Sequence, residues 1–240
     1  MLEGKNLVKR FGGLTAIDNL DFYIDEGKIT GLIGPNGSGK TTLFNLITGY
    51  YKPDQGIIKF KGRPITGKKP HQILKMGIVR TFQIVRPFLS MTVAENVAVA
   101  ALYGRANLNS MKEAIQYSKK WIEFCGLESK TNTPARELTL VELKKLEIAR
   151  ALATEPEVML IDEAFAGLNP SEVDQAIETI KRIRSELGIT IFIVEHVMRA
   201  VMNLCDHVIV LHNGKKIAEG TPVQVATSPP VIETYLGKRY

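Results

Sequence analysis

Gly34-Pro35-Asn36-Gly37-Ser38-Gly39-Lys40-Thr41 is the stretch on which the fold turns; it follows the apolar run Ile29 to Ile33 and precedes a helix-prone segment, Thr42 to Thr48. Glycines at its first, fourth and sixth places let consecutive backbone N–H groups turn inward around an anion, where a Cβ would obstruct the turn or the phosphate. The helix that follows points its N-terminus at the same spot, but that end carries only roughly half a positive charge. Lys40 must therefore supply a full charge and Thr41 a hydroxyl for Mg2+. Asn36 to Thr42 are the expected phosphate contacts. Strand, loop and helix in this order weigh against a glycine-rich turn that binds nothing.

Downstream, the apolar run Val158 to Ile161 reads as a strand buried on both faces of a parallel sheet. It delivers Asp162 and Glu163 to its C-terminal end, where open α/β sheets place their ligands. Asp162 can hold Mg2+ through water, and Glu163 can orient or deprotonate an attacking water. Thr190 to Val194 is a second such strand and presents Glu195-His196, whose imidazole is either an ordinary surface or core histidine or, at a strand's end, a group within reach of a γ-phosphate. A third strand over Gly77 to Phe82 ends at Gln83. The amide of Gln83 can reach a metal or a water; equally, it is an ordinary surface polar residue.

The chain has 240 residues, 45% hydrophobic and 23% charged, enough for one large domain with a subdomain. Leu20, Phe22 and Ile24 alternate with acids and a tyrosine in a half-buried strand, and Gly56 to Phe60 sits in an expected hairpin. Phe11, before Gly12-Gly13 on an expected loop, is either an adenine-stacking ring or an edge aromatic. From Thr92 to Lys130 the apolar spacing is helical, and Asn132-Thr133-Pro134 closes that region. Thr139 and Glu142 then stand in capping-box spacing at the start of another helix. After the Asn213-Gly214 turn, the tail from Pro222 reads as a small helical appendage.

Two cysteines far apart, Cys125 and Cys205, indicate neither a disulfide framework nor a zinc site, which fits a reducing compartment. The longest apolar run, Val97 to Tyr103, falls far short of the ~20 residues that cross a bilayer, so any membrane role is borrowed from a partner. The net charge is +6, and residues 55 to 94 hold eight Lys and Arg and no acid. Without interleaved aromatics that stretch reads as a solvated face rather than a nucleic-acid surface.

Together these residues resemble the ATP-binding subunits of ABC transporters, over nearly the whole chain. The resemblance implies an α/β P-loop core with a mixed sheet, an antiparallel N-terminal β-subdomain and an inserted helical subdomain. Residues 1–83 and 156–240 would form the nucleotide-binding core and about 84–155 the helical subdomain. It makes Phe11 the adenine-stacking aromatic, Gly34 to Thr41 the Walker A loop and Gln83 the Q-loop residue. Asp162 becomes the Walker B carboxylate, Glu163 the catalytic base, Ala166 to Asn169 the D-loop and His196 the switch histidine.

The implied cofactors are ATP and Mg2+, with Thr41, Gln83 and Asp162 around the metal. The implied partners are transmembrane permeases, a second ATPase subunit and, indirectly, a solute-binding protein, with the chain on the cytoplasmic face of the membrane. The segments Gly77-Ile-Val-Arg-Thr-Phe-Gln83, Leu146-Glu-Ile-Ala-Arg150, Phe165-Ala-Gly-Leu-Asn169 and Tyr235-Leu-Gly237 look most like the branched-chain amino-acid uptake subgroup, although lipopolysaccharide-export ATPases share much of them.

Two departures stand out. The family signature Leu-Ser-Gly-Gly-Gln is here Leu138-Thr139-Leu140-Val141-Glu142, with side chains where close backbone approach to a partner's nucleotide is needed and a carboxylate brought toward a triphosphate. The expected consequence is a heterodimer, in which Thr139 and its neighbours line a degenerate second site. Ala164 also replaces the usual Pro after the base, which is expected to alter loop rigidity rather than chemistry. A nucleotide-binding module with a purely structural role is the rival reading of the signature; Asp162, Glu163 and His196 speak against it.

Overall fold

The computed structural model describes residues 1–236, so the Tyr235-Leu236-Gly237 motif runs past the described end. Two sheets organise the chain. β1 (Leu2–Phe11), β2 (Leu14–Ile24), β4 (Gln55–Phe60) and β5 (Arg63–Pro64) form an antiparallel sheet in the order β2-β1-β4-β5. The second sheet adds β3 (Ile29–Ile33), β6 (Ile78–Arg80), β7 (Val158–Asp162), β8 (Thr190–Val194), β9 (His207–His212) and β10 (Lys215–Gly220). Its order is β10-β9-β3-β8-β7-β6, parallel except for the β9–β10 hairpin.

Period-two alternation of the central strands feeds two cores, as expected for strands covered on both faces. Met159, Ile161, Ile191 and Ile193 face one core, while Val158, Leu160, Phe192 and Val194 face the other. The second core also takes Leu7, Leu20 and Phe22 of the antiparallel sheet and Leu43 and Phe44 of α1 (Lys40–Ile47). α2 (Pro70–Lys75) lies beside β6.

Against the first core pack α3 (Val93–Tyr103), α4 (Met111–Phe124) and α5 (Leu140–Ala153), all between β6 and β7 in sequence, together with α6 (Pro170–Leu187). α6 shows how local chemistry sets the elements. Asn169 caps its start in a reciprocal box with Glu172, Val173, Ile177, Ile180 and Ile183 form its buried stripe, and Gly188 at φ +67° ends it.

The chain therefore has the expected α/β P-loop architecture, with some shifts in detail. Phe11 is the last residue of β1 rather than part of a loop, because Arg10 and Phe11 continue the ladder to Thr15 and Leu14. The expected hairpin forms as β4 and β5, with its reversal at Lys61-Gly62, where both residues have positive φ. β9 starts at His207, shortly after α7 (Met198–Leu204) ends. α8 (Pro222–Ala226) and α9 (Pro229–Leu236) make up the helical tail. No helix among the described residues is long and apolar enough to cross a membrane.

Candidate active site

In the order β3-β8-β7-β6, all four strands run the same way and end on one edge. That edge receives the Gly34 loop from β3, Glu195-His196 from β8, Asp162-Glu163 from β7 and the Thr81 to Gln83 segment from β6. Residues scattered over 160 positions thereby become neighbours on strands roughly 4.8 Å apart.

The loop needs its glycines for two reasons. A Cβ on Gly34 would lie 2.1 Å from the Leu211 carbonyl oxygen, and one on Gly39 2.5 Å from that of Ala16. Gly37 has open space around it and is required only by its φ of +78°. Ser38 is buried, and its Oγ has no hydrogen-bond partner among the described residues. Such an orphan, in a loop whose glycines hold the backbone where side chains cannot follow, fits a phosphate oxygen.

Lys40 is buried and donates from Nζ to the carbonyls of Gly34 at 2.8 Å and Pro35 at 2.9 Å. Burial lowers its pKa, while the charges of Glu163 and Asp162 oppose that shift. Asn36, Gly37 and Thr41 are exposed at the loop's mouth and Thr42 is half-buried on the first turn of α1.

Asp162 is not left to a metal alone. Arg80 Nη2 lies 2.6 Å from its Oδ2, both side chains being only 6% exposed, and Nη1 of the same guanidinium donates to Asn45 Oδ1 on α1. The guanidinium also sits 5.6 Å from the Phe44 ring and 5.0 Å from the Phe82 ring. Of the eight cations in residues 55–94, Arg80 thus departs from the expected solvated face, while Lys61, Arg63, Lys69, Lys75 and Arg86 are exposed as expected. Arg80 is a core ion pair, Lys61 pairs with Glu157, and Lys75 donates to the Gly104 carbonyl.

Because Arg80→Met would strand a buried carboxylate, it is expected to cost about 3–5 kcal/mol of stability. Urea unfolding checks this, the midpoint falling with an unchanged slope.

Glu163 is the hub of the exposed polar groups. It sits at φ +48°, a conformation that non-glycine residues adopt rarely and mostly where the surroundings enforce it. Its Oε2 accepts from Gln83 Nε2 at 2.7 Å and lies 3.9 Å from Nδ1 of the exposed His196. Gln83 thus turns its amide N–H₂ toward Glu163, which leaves its carbonyl oxygen for a metal. With the Thr41 hydroxyl and the free oxygen of Asp162, the available donors are all hard oxygens, the set that Mg2+ prefers. Beneath the histidine, Glu195 is buried and accepts from the Phe165 and His196 N–H groups at 3.2 Å; burial raises its pKa.

Phe11 stands apart from this cluster. It is 41% exposed, its ring centre 5.1 Å from that of Tyr51 in an edge-on arrangement, with Lys9 Nζ 5.4 Å from its centroid.

Thr139 is also remote, as the N-cap of α5, and the expected capping box forms. Its N–H donates to Glu142 Oε2 at 2.8 Å and its Oγ1 accepts the Glu142 N–H at 3.4 Å. Glu142 also pairs with Lys130 at 3.4 Å, and the Thr139 N–H, first among these contacts, lowers its pKa. The feared carboxylate is thus folded back on its own helix. What stands out at the signature is Leu140, 48% exposed and leaning over Gly167, where a Cβ would be 3.2 Å from Leu140 Cδ2.

Sequence reasoning missed three groups on α5. Lys144 Nζ donates to the Ala164 carbonyl at 2.7 Å, Glu147 Oε1 accepts the Phe82 N–H at 2.7 Å, and Arg150 Nη1 donates to the Arg86 carbonyl at 3.0 Å. Their three-residue spacing was the available signal.

The family model described as ABC transporter matches residues 17–166. The chain is 40% identical over 251 residues to the high-affinity branched-chain amino acid transport ATP-binding protein BraF of Pseudomonas aeruginosa, covering 99% of this chain and 98% of that protein. It is 40% identical over 250 residues, with the same coverage, to LivG of Escherichia coli, which bears the same description. Among solved structures, the ATP-binding cassette MJ1267 of an ABC transporter superposes with a TM-score of 0.89 at 36% identity, covering 98% of both chains. Its ADP conformation gives 0.88 at 35% identity over 99% of both. The nucleotide-shaped loop and the full-length similarity agree, and the chain belongs to the ABC transporter family as one of its ATP-binding, ATP-hydrolysing subunits.

Proposed function

We propose that this chain is the ATPase motor of an importer for branched-chain or other hydrophobic amino acids, acting on separate membrane permeases from the cytoplasmic face. The observation that carries the hydrolytic reading is the meeting of Gln83, Glu163 and His196 beside the Lys40 loop. The names of the full-length relatives support the substrate class.

In this reading the backbone of Asn36 to Lys40 cradles the phosphates, the Lys40 ammonium leaves the loop carbonyls for the triphosphate, and Phe11 stacks on adenine. Thr41, Asp162 through water, and the Gln83 carbonyl would hold Mg2+, which would supply positive charge against the triphosphate. Glu163 takes a proton from the attacking water, Gln83 keeps that carboxylate aimed, and His196 donates to the γ-phosphate. Residues 1–83 and 156–240 act as the nucleotide-binding core and residues 84–155 as the helical subdomain that carries the signature.

The site is completed by a second ATPase subunit. Leu140 and Val141, where a dimer needs glycines, support a heterodimer: a partner's signature closes this chain's nucleotide, while Thr139 to Glu142 of this chain offer the partner a degenerate lid. A solute-binding protein acts upstream, outside the membrane.

The test is uptake of radiolabelled leucine by cells that lack this chain. Uptake is expected to be lost and to be restored by the wild type but not by Glu163→Gln; uptake that persists without the chain overturns the reading.

A further inference from the structure

Gln83 and Glu163 meet at 2.7 Å although 80 residues separate them, and neither is held by its own loop alone. One turn of α5 grips the backbone immediately beside each. Lys144 bonds the carbonyl of Ala164, the residue after Glu163, and Glu147 takes the N–H of Phe82, the residue before Gln83. Both grips line a cavity of about 40 Å3 together with Asp162. One turn further on, Arg150 holds the Arg86 carbonyl and covers Phe88 at 5.4 Å, while the buried Asn96 of α3 bonds both the N–H and the carbonyl of Phe88. The same helix begins at Thr139, in the signature.

We propose that Lys144 and Glu147 are positioning residues which set the Gln83–Glu163 pair from the signature helix, so that a displacement of α5 moves the base and its amide partner together. This rests on the roles given above to Gln83 and Glu163. Electrostatics favours such a device: burial raises the pKa of Glu147 and lowers that of Lys144, and each charge opposes the other's shift. Ala164 also fits. Where the family usually has Pro, the turn here is fastened by side chains from outside it, Glu195 on the Phe165 N–H and Lys144 on the Ala164 carbonyl.

The experiment uses the complex isolated from its own membranes through a tag on this chain, and compares Gln83→Ala, Glu147→Leu, Glu147→Gln and the double variant Gln83→Ala/Glu147→Leu. Glu147→Leu is expected to lower kcat by up to about 10²-fold, the scale of a misplacement near 1 Å, with KM for ATP unchanged because the side chain does not touch nucleotide. Glu147→Gln keeps an oxygen for the Phe82 N–H and should retain most of the rate. The double variant should be no slower than Gln83→Ala, because Glu147 acts through that residue.

Equal losses in Glu147→Gln and Glu147→Leu, or additive losses in the double variant, would overturn the inference. Gln83→Ala at full speed would instead remove the role given to Gln83 itself. If Glu147→Leu does not fold, Lys144→Met decides: a lowered kcat at constant KM supports the grip on Ala164, and an unchanged kcat overturns it.

Discussion

Glu163→Gln is expected to bind ATP as tightly as the wild type and to lose between about 10² and 10⁴ of its turnover, the usual contribution of a positioned general base. The substitution is nearly isosteric. The amide can still meet Gln83 and can keep the φ of +48°, but it cannot accept a proton from water. Removing the charge also takes away one of the two carboxylates that Lys40 feels, which favours a triphosphate in the loop. Nucleotide binding by fluorescence and turnover by phosphate release separate the two effects. Undiminished turnover would sink the assignment of the base, and a parallel loss of binding would point to a structural role instead.

The second large effect concerns the lid. Restoring the signature with Leu140→Gly and Val141→Gly is expected to raise the hydrolysis rate of the chain on its own by tenfold or more, with a steep dependence on protein concentration. Leu140 is half-exposed, so little apolar burial is lost, and two glycines in the first turn of α5 cost about 1 kcal/mol each at most. Glu142 need not be changed, since its charge is already engaged by Thr139 and Lys130. A folded double variant with no gain would show that the two side chains are not what limits the isolated chain.

What the sequence made legible is what is local. The P-loop, the buried strands β7 and β8, the Thr139 cap and the Asn213-Gly214 turn are each written in a few consecutive residues whose backbone needs are specific. The meeting of Gln83, Glu163 and His196 followed from family resemblance and from the rule that ligands sit at strand C-termini, not from any local signal.

What stayed hidden depends on partners far along the chain. Arg80 looked like one more surface cation in a basic run, because nothing near it in sequence announces Asp162, 82 positions away. Lys144, Glu147 and Arg150 were not singled out in the sequence, because their partners are backbone groups, which composition cannot show. α7 is only seven residues long, too short for its periodicity to stand out before β9.

The central claim is that this chain carries an intact set of nucleotide-site residues which only another subunit can close. Its most direct test is the rate of ATP hydrolysis by the purified chain, measured alone and after addition of the second ATP-binding subunit of the same transporter. Weak turnover alone and a large rise on mixing, abolished by Glu163→Gln in this chain, is the predicted result; brisk, cooperative turnover by the pure chain would contradict it.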